Sequence, residues 1–594
     1  MSDSLNQQTA DPVFVSLEPR RLLSQLQTWA LSRKFEVLCG ILLLTMSWQF
    51  VVAISRKSIT NDETAHIPAG YYHLVAEDFQ LNTEHPPLVK MWAALPLLFI
   101  QPKEPIITEK TDADFAQRSA MVEQQFWFAN QTQFLRIGFW TRLMMIPLAV
   151  LLGVVIFIFT RTISNSTAAL IAVFTYSIEP TILAHGRVVH TDLAAALGYL
   201  LFFFALFQYH RFPTHRKAIL LGVVTALALL TKYSMVILVP LLALYALALA
   251  WSYRRDSIRL KKLMIHAVAV TGIVILMINA VYFFRHDQMS DPDRGWLLST
   301  SQPYSNAIYQ GITALGHVIP TYYLFGVYKV AIHNHYGHPA FLLGKYSNDG
   351  WRYYFPVAFA LKTTIPFLLL SVVALAWGIF QIVARRRITL LWLLIPFLIY
   401  LGISVSGSIN IGIRHFLPAF PFLFMLGGMF LTEVIKSRQR TLGIALTVGL
   451  IGLMCVEAVR VFPNYTPYMN QLAAGPNWRY LSDSNVEWGD DVNSLAAYLK
   501  SRGETRVRAA LSGGWITLPL YGIDYIGMAP PVKELVDTRY VAIGASFLNG
   551  STVPSFEVNG KLISDSERVN LFETYRHRTP EAVFGGSIYL FRER

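Results

Sequence analysis

Between residues 61 and 90 the sequence sets two adjacent carboxylates, Asp62 and Glu63, ahead of His66 and a second polar cluster of Glu84, His85 and Lys90. Carboxylates beside cations suit a displacement in which a hydroxyl attacks and a phosphate leaves. The hydroxyl must lose its proton as it attacks, and a carboxylate can take it. The departing phosphate is a weak base, so it needs positive charge more than a proton donor, and Arg forks phosphate oxygens best. A carboxylate near the reacting carbon would also favour an oxocarbenium-like transition state. Further along, the run His185-Gly-Arg-Val-Val-His-Thr-Asp192 holds four ionisable residues, Lys232 stands between two apolar blocks, and Arg352, Lys362, Arg414 and His415 follow. His333, His335 and His338 have spacing a metal could use, but a His run in what reads as a loop is weak ground for a site. No metal or other cofactor is expected.

These residues must be held by elements built for lipid. Of 594 residues 54% are hydrophobic and only 15% are charged, where a soluble chain carries about a quarter charged. The apolar residues fall in blocks near the ~20 residues that cross a ~30 Å hydrocarbon core. The expected fold is an α-helical polytopic membrane protein of about eleven spans, near 35–55, 136–160, 165–184, 193–209, 218–231, 233–251, 263–284, 355–384, 388–405, 414–435 and 441–460. With the N-terminal segment 1–34 inside, Arg20-Arg21, Arg33-Lys34, Arg254-Arg255, Lys261-Lys262, Arg385–Arg387 and Lys436–Arg440 all fall on the inner face, as the positive-inside rule requires. The net charge of +13 is thereby explained without nucleic acid. Outer loops 56–135 and 285–354 then collect the reactive residues at one face, where charges at the membrane edge imply a wet cavity.

The final stretch, 461–594, changes character. Turn formers rise, β-like runs appear at Arg506–Leu511, Tyr540–Phe547 and Gly586–Phe591, and Asp490–Lys500 reads as a helix with acidic residues in its first turn. A small extracytoplasmic α/β domain is expected there. Cys39 and Cys455 both fall within apolar blocks and give no disulfide framework. The first apolar block follows about thirty polar residues and reads as an uncleaved span.

Several motifs in this order resemble those of the protein O-mannosyltransferase family, C-type membrane glycosyltransferases that use polyprenyl-phosphate sugars. They are Asn61-Asp62-Glu63-Thr64-Ala65-His66 with Glu84-His85-Pro86-Pro87-Leu88, Thr191-Asp192, Leu230-Thr231-Lys232, Gly350–Pro356, Arg414-His415-Phe416-Leu417-Pro418 and Leu481–Asp491. The Pro-Pro-Leu segment is also similar to that of the lipid A aminoarabinose transferase, which has Lys where this chain has His85. The resemblance implies a 35–460 catalytic domain with Asp62 as base and Glu63 as its partner. It would also set His85, Lys90 and Arg414 at the donor phosphate. From their place on the same face, Arg187 and Lys232 are expected to join them there, and Glu84, Asp192, Arg352 and His415 to meet substrate. The donor would be a polyprenyl-phosphate-linked sugar and the acceptor a protein, lipid or glycan hydroxyl, at the outer face of the cytoplasmic membrane. Eukaryotic members carry a β-trefoil in the long central loop, for which 285–354 is too short.

Each reading has a plainer rival. Asn61 or Asp62 could simply cap a helix, Asp192 could head a span, Lys232 could snorkel to the interface, and Arg414 could anchor a span end. Asp483, Asp490 and Asp491 read as structural, fixing the outer domain to the membrane part. A transporter or flippase of lipid-linked sugars would place charges at the midplane in inverted repeats, and neither feature is present in the sequence. A lipid A-type glycosyltransferase differs from the main reading in its acceptor, and a non-catalytic scaffold would act through 461–594.

Overall fold

The computed structural model describes residues 32–104, 115–529, 536–558 and 561–593; Arg20-Arg21 and most of the 1–34 segment lie outside the described residues. Nine helices among the described residues are long and apolar enough to span a membrane, so this is a multi-pass membrane protein. Two of the eleven expected blocks are shorter helices, Ser166–Ile178 and His215–Thr231. Asn165 starts the first by accepting the Ala168 N–H at 3.0 Å, and Thr214 caps the second. The Asp192–Arg211 and Ile413–Ile435 segments are 78% buried and form the centre of the bundle, whereas Tyr233–Ser252 is only 11% buried and faces outward.

One expected span is not continuous. The block 355–384 divides into helices Tyr354–Lys362 and Ile365–Arg385, with Thr363 and Thr364 extended between them. Pro366 has no N–H to give the Lys362 carbonyl and its ring would clash with it, so one helix cannot run through this point, and Glu179 satisfies the opened backbone. Its carboxylate accepts the Thr364 N–H at 3.2 Å and the Thr364 hydroxyl at 3.0 Å.

The C-terminal domain, called the outer domain after the side expected for it, is a five-stranded sheet in the order Asp524–Gly527, Arg506–Ala510, Tyr540–Gly544, Ile588–Arg592, Ala582–Phe584. The first three strands run parallel and the last two antiparallel. The expected strand at Tyr540–Phe547 ends at Gly544 and turns into the short helix Ala545–Leu548. The helix expected at Asp490–Lys500 is Val492–Ser501, with no acidic residue in its first turn. Asp490 and Asp491 precede it because their carboxylates are committed elsewhere.

Those commitments join the outer domain to the membrane part. Asp490 pairs with Arg187 at 2.8 Å, and Asp491 pairs with Lys57, which also reaches Asn464. The backbone N–H groups of Ser58 and Asn61 donate to the carbonyls of Asp490 (3.0 Å) and Trp488 (2.8 Å). Lys362 donates to the carbonyls of Thr466 and Asn485, both at 2.6 Å. Asp490 and Asp491 are thus structural, as expected of them. Lys57→Met would strand a buried carboxylate, which costs about 3–5 kcal/mol. The variant should show a clearly lowered thermal unfolding midpoint in detergent, most of it recovered in Lys57→Met/Asp491→Leu. An unchanged midpoint in the single variant would show that the pair anchors nothing.

Candidate functional site

The first span ends at Arg56, and the chain turns through Lys57–Thr60 into the helix Asn61–Val75. Thr60, not Asn61 or Asp62, is the N-cap, and Glu63 folds back to accept its N–H at 2.7 Å and its hydroxyl at 3.0 Å. The rest of the Glu63 carboxylate is taken by the Arg142 guanidinium and by the Val189 N–H at 2.9 Å. Glu63 is fully buried. Burial works against its charge, but Arg142 and these donors outweigh it and hold the pKa below the usual range. With its oxygens spoken for, Glu63 is a buried brace for the Asp62 turn and has no lone pair facing a substrate. Its partner Arg142 escaped the sequence reading, although a lone Arg inside an apolar block is itself a signal.

Capping by Thr60 leaves Asp62 free to point away from its own helix. Its Oδ2 pairs with Arg414 and its Oδ1 accepts the Trp488 indole N–H at 3.0 Å. The Arg414 guanidinium lies over the Trp488 ring, 4.6 Å from its centroid, with Asp483 at 3.9 Å. One indole therefore holds both halves of the pair. Asp62 remains 20% exposed, Arg414 9%. Burial pushes the Asp62 pKa up, but Arg414, then His66 and the two hydrogen bonds, carry it well below the carboxylate norm. His66, one turn along, is driven down to about 3 by burial and is neutral.

A second pair lies alongside. Asp192 is buried, pairs with Lys232 and sits 3.1 Å from His190 Nδ1. His190 and His185 stack against Trp488 at 5.5 and 5.4 Å, so the Trp488 ring joins the two pairs. His415 is close enough to Asp192 and Lys232 to feel both charges. His85 lies 5.0 Å from the His66 ring and 3.4 Å from the Thr191 hydroxyl. Burial and nearby cations keep His85 well below its usual pKa, so it can offer a phosphate a hydrogen bond but not a charge. Lys90 is buried, donates to the Asn82 carbonyl at 2.7 Å, and is lowered to about 7 by burial. It lines a narrow crevice with His85, Tyr233 and Tyr282.

Other expected members stand apart. Arg187 is fully buried and pairs through one Nη with Asp490, while its Nε and other Nη have no hydrogen-bond partner among the described residues; the pair ties it to the outer domain. Arg352 is exposed and makes no ion pair among the described residues, and Glu84, exposed and likewise without an ion pair among them, is still near enough to act on Lys90 and Glu123. His333 and His335 lie in the helix Thr321–Tyr336 and not in a loop. No group of three His, Cys, Asp or Glu placed to hold a metal occurs among the described residues. Sequence reasoning also passed over Trp488 itself, which is 426 residues from Asp62 along the chain, and Glu123. Glu123 hydrogen-bonds Thr64 and is raised to about 7 by burial, with Asp62 and Glu84 adding to the rise.

Residues 131–282 match a family described as dolichyl-phosphate-mannose-protein mannosyltransferase. That stretch is about a quarter of the chain and includes Arg142, Asp192 and Lys232 but neither Asp62 nor Arg414. Of the resembling motifs it holds Thr191-Asp192 and Leu230-Thr231-Lys232, and over this segment the chain is similar to that family. No curated protein sequence matches. Among solved structures, the protein O-mannosyltransferase Pmt1–Pmt2 complex of S. cerevisiae is 10% identical with TM-score 0.46, over 72% of this chain and 89% of that one. ArnT from Cupriavidus metallidurans bound to undecaprenyl phosphate is 13% identical with TM-score 0.45, over 88% and 96%. The Archaeoglobus fulgidus oligosaccharyltransferase is 12% identical with TM-score 0.44, over 86% and 68%. Scores this low add nothing to the assignment.

The folded-state pKa of Asp62 lies below that of the unfolded carboxyl, near 3.9. The stability from its pairing is therefore fully present above about pH 4 and is lost as pH falls through the folded value. Trp488→Phe removes one donor to Asp62 while keeping a ring beneath Arg414. It should shift the acid limb of activity and of unfolding to higher pH than in the wild type. Acid limbs that coincide in the two proteins would show that the indole N–H has no hold on Asp62.

Proposed function

We propose that the chain transfers a sugar from a polyprenyl-phosphate carrier to an acceptor hydroxyl at the outer face of the cytoplasmic membrane, with inversion at the anomeric carbon. The N-terminus would lie inside and the 461–594 domain outside. The observation that carries this reading is the Asp62–Arg414 pair, a carboxylate and a guanidinium held together on one indole.

In the pair as it stands, Asp62 is too weak a base to take a hydroxyl proton efficiently. Entry of the donor phosphate changes this, because Arg414 can fork two phosphate oxygens and its hold on Asp62 loosens. The Asp62 pKa then rises toward the range in which it accepts a proton. The acceptor oxygen attacks the anomeric carbon, its proton passes to Asp62, and the carbon–oxygen bond to phosphate breaks. The electrons leave on the polyprenyl phosphate, whose growing charge Arg414 stabilises. Lys90 and His85, beside the same helix, would receive the remaining phosphate oxygens, with Lys232 and Asp192 steering the sugar. A single displacement of this kind needs no metal. The transporter alternative has less support, since the Asp62–Arg414 and Asp192–Lys232 pairs gather around the single Trp488 ring and are not strung along a path.

Purified protein supplied with polyprenyl-phosphate sugars tests the assignment. Loss of a positioned general base costs on the order of 10²–10⁴ in rate. Asp62→Asn should lose turnover by that factor while still folding, with a lowered unfolding midpoint because Arg414 loses its charge partner; wild-type turnover in a folded Asp62→Asn protein would remove Asp62 as the base. A second test uses pH. Since burial brings Lys90 down to about 7, its charge is present below that pH and fades above it. Donor KM should therefore rise as pH climbs past 7 in the wild type and lose this dependence in Lys90→Gln. The same pH dependence in both proteins would exclude Lys90 from the donor phosphate.

A further inference from the structure

A cavity of about 420 Å³ opens between the long central loop and the outer domain, with a lining that shares no residue with the Lys90 crevice. Ligand sites typically enclose ~300–1,000 Å³. One wall is Phe341 with Leu343, from a hairpin of strands Ala340–Leu342 and Lys345–Ser347. The opposite wall is Trp478-Arg479-Tyr480. Both walls are fixed. The hairpin hydrogen-bonds the Tyr480 carbonyl through the Leu343 N–H at 2.9 Å, and Leu342 bridges to Leu481. Asn549 donates to the carbonyls of Trp478 (3.3 Å) and Leu481 (3.0 Å). Arg576, at the base, is occupied by the carbonyls of Leu548 and Val569 and by Asn570.

What remains free is a consistent set. The half-buried Trp478 indole N–H has no acceptor among the described residues, and the exposed Arg479 guanidinium stacks beside its ring at 5.4 Å with no carboxylate partner among them. No acidic residue lines the cavity. An aromatic face is electron-rich and suits the C–H face of a sugar ring, while unpaired N–H donors suit hydroxyl or acidic oxygens. A cationic peptide would meet only like charge. The cavity also lies close to the Asp62 pair. Tyr480 is three residues from Asp483, at most about 11 Å of chain, and Asp483 is 3.9 Å from Arg414.

We infer that the cleft between Phe341 and Trp478–Tyr480 binds the saccharide part of the acceptor, neutral or anionic, and presents its hydroxyl toward Asp62. The inference rests on the transferase reading of the site and names the class of its acceptor. The full chain in lipid nanodiscs, applied to an array of neutral and acidic oligosaccharides, tests it without turnover. The wild type and Asp62→Asn should retain the same subset of saccharides. Trp478→Ala should lose at least tenfold in affinity, Trp478→Phe less, and Arg479→Gln, at the surface, should lose the acidic members only. Retention of Ser/Thr peptides in place of saccharides would overturn the inference. So would saccharide binding that Trp478→Ala and Arg479→Gln leave intact, or no retention at all. Those results would leave the Asp62 chemistry standing, whereas a fully active Asp62→Asn with normal saccharide binding would overturn the chemistry alone.

Discussion

Asp62 and Arg414 form the ion pair around which the outer end of this molecule is organised. Neither charge could be as buried as it is without the other, and neither would be aligned without Trp488, which hydrogen-bonds one and stacks beneath the other. The three residues come from the outer loop after the first span, the start of a late span, and the segment leading into the outer domain. Bringing them together fixes how those three parts of the chain must sit.

The surrounding structure reads as support for that arrangement. Glu63 and Arg142 lock the turn that aims Asp62. Arg187–Asp490 and Lys57–Asp491 clamp the outer segment against the same turn. Two glycines allow the close approach: at Gly489, with φ +88°, a Cβ would lie 2.6 Å from the Ser512 carbonyl oxygen, and at Gly513, with φ +65°, it would meet Asn61 at 3.1 Å. Through Trp488 this C-terminal part of the chain touches both halves of the Asp62–Arg414 pair. A pairing that strong also suppresses the basicity of Asp62 until something competes for Arg414, and a phosphate is the natural competitor.

The spans were legible because block length and basic links act locally along the chain. Asp62 and Arg414 were legible as residues, through the motifs that contain them, and so was the service of Asp490 and Asp491 as structural anchors. The partnerships were not. Arg187 read as a phosphate ligand because it falls among the ionisable residues gathered on one face, but its partner Asp490 is some three hundred positions on. Glu63 looked like half of a catalytic pair because adjacency in sequence does not reveal that successive side chains on a helix point to different faces. Trp488 lay inside a recognised motif, yet an indole carries no charge pattern to mark it. The break at Thr363–Thr364 had a visible cause in Pro366 but needed Glu179, from another span, to be satisfied.

The central claim is that Asp62 and the donor phosphate share one guanidinium. Equilibrium binding of polyprenyl phosphate to the wild type, Asp62→Asn and Arg414→Gln measures that sharing directly. A shared Arg414 predicts that Asp62→Asn binds the carrier at least as tightly as the wild type, because the competing carboxylate charge is gone, while Arg414→Gln binds it more weakly. Weakened binding in Asp62→Asn together with unchanged binding in Arg414→Gln would contradict it.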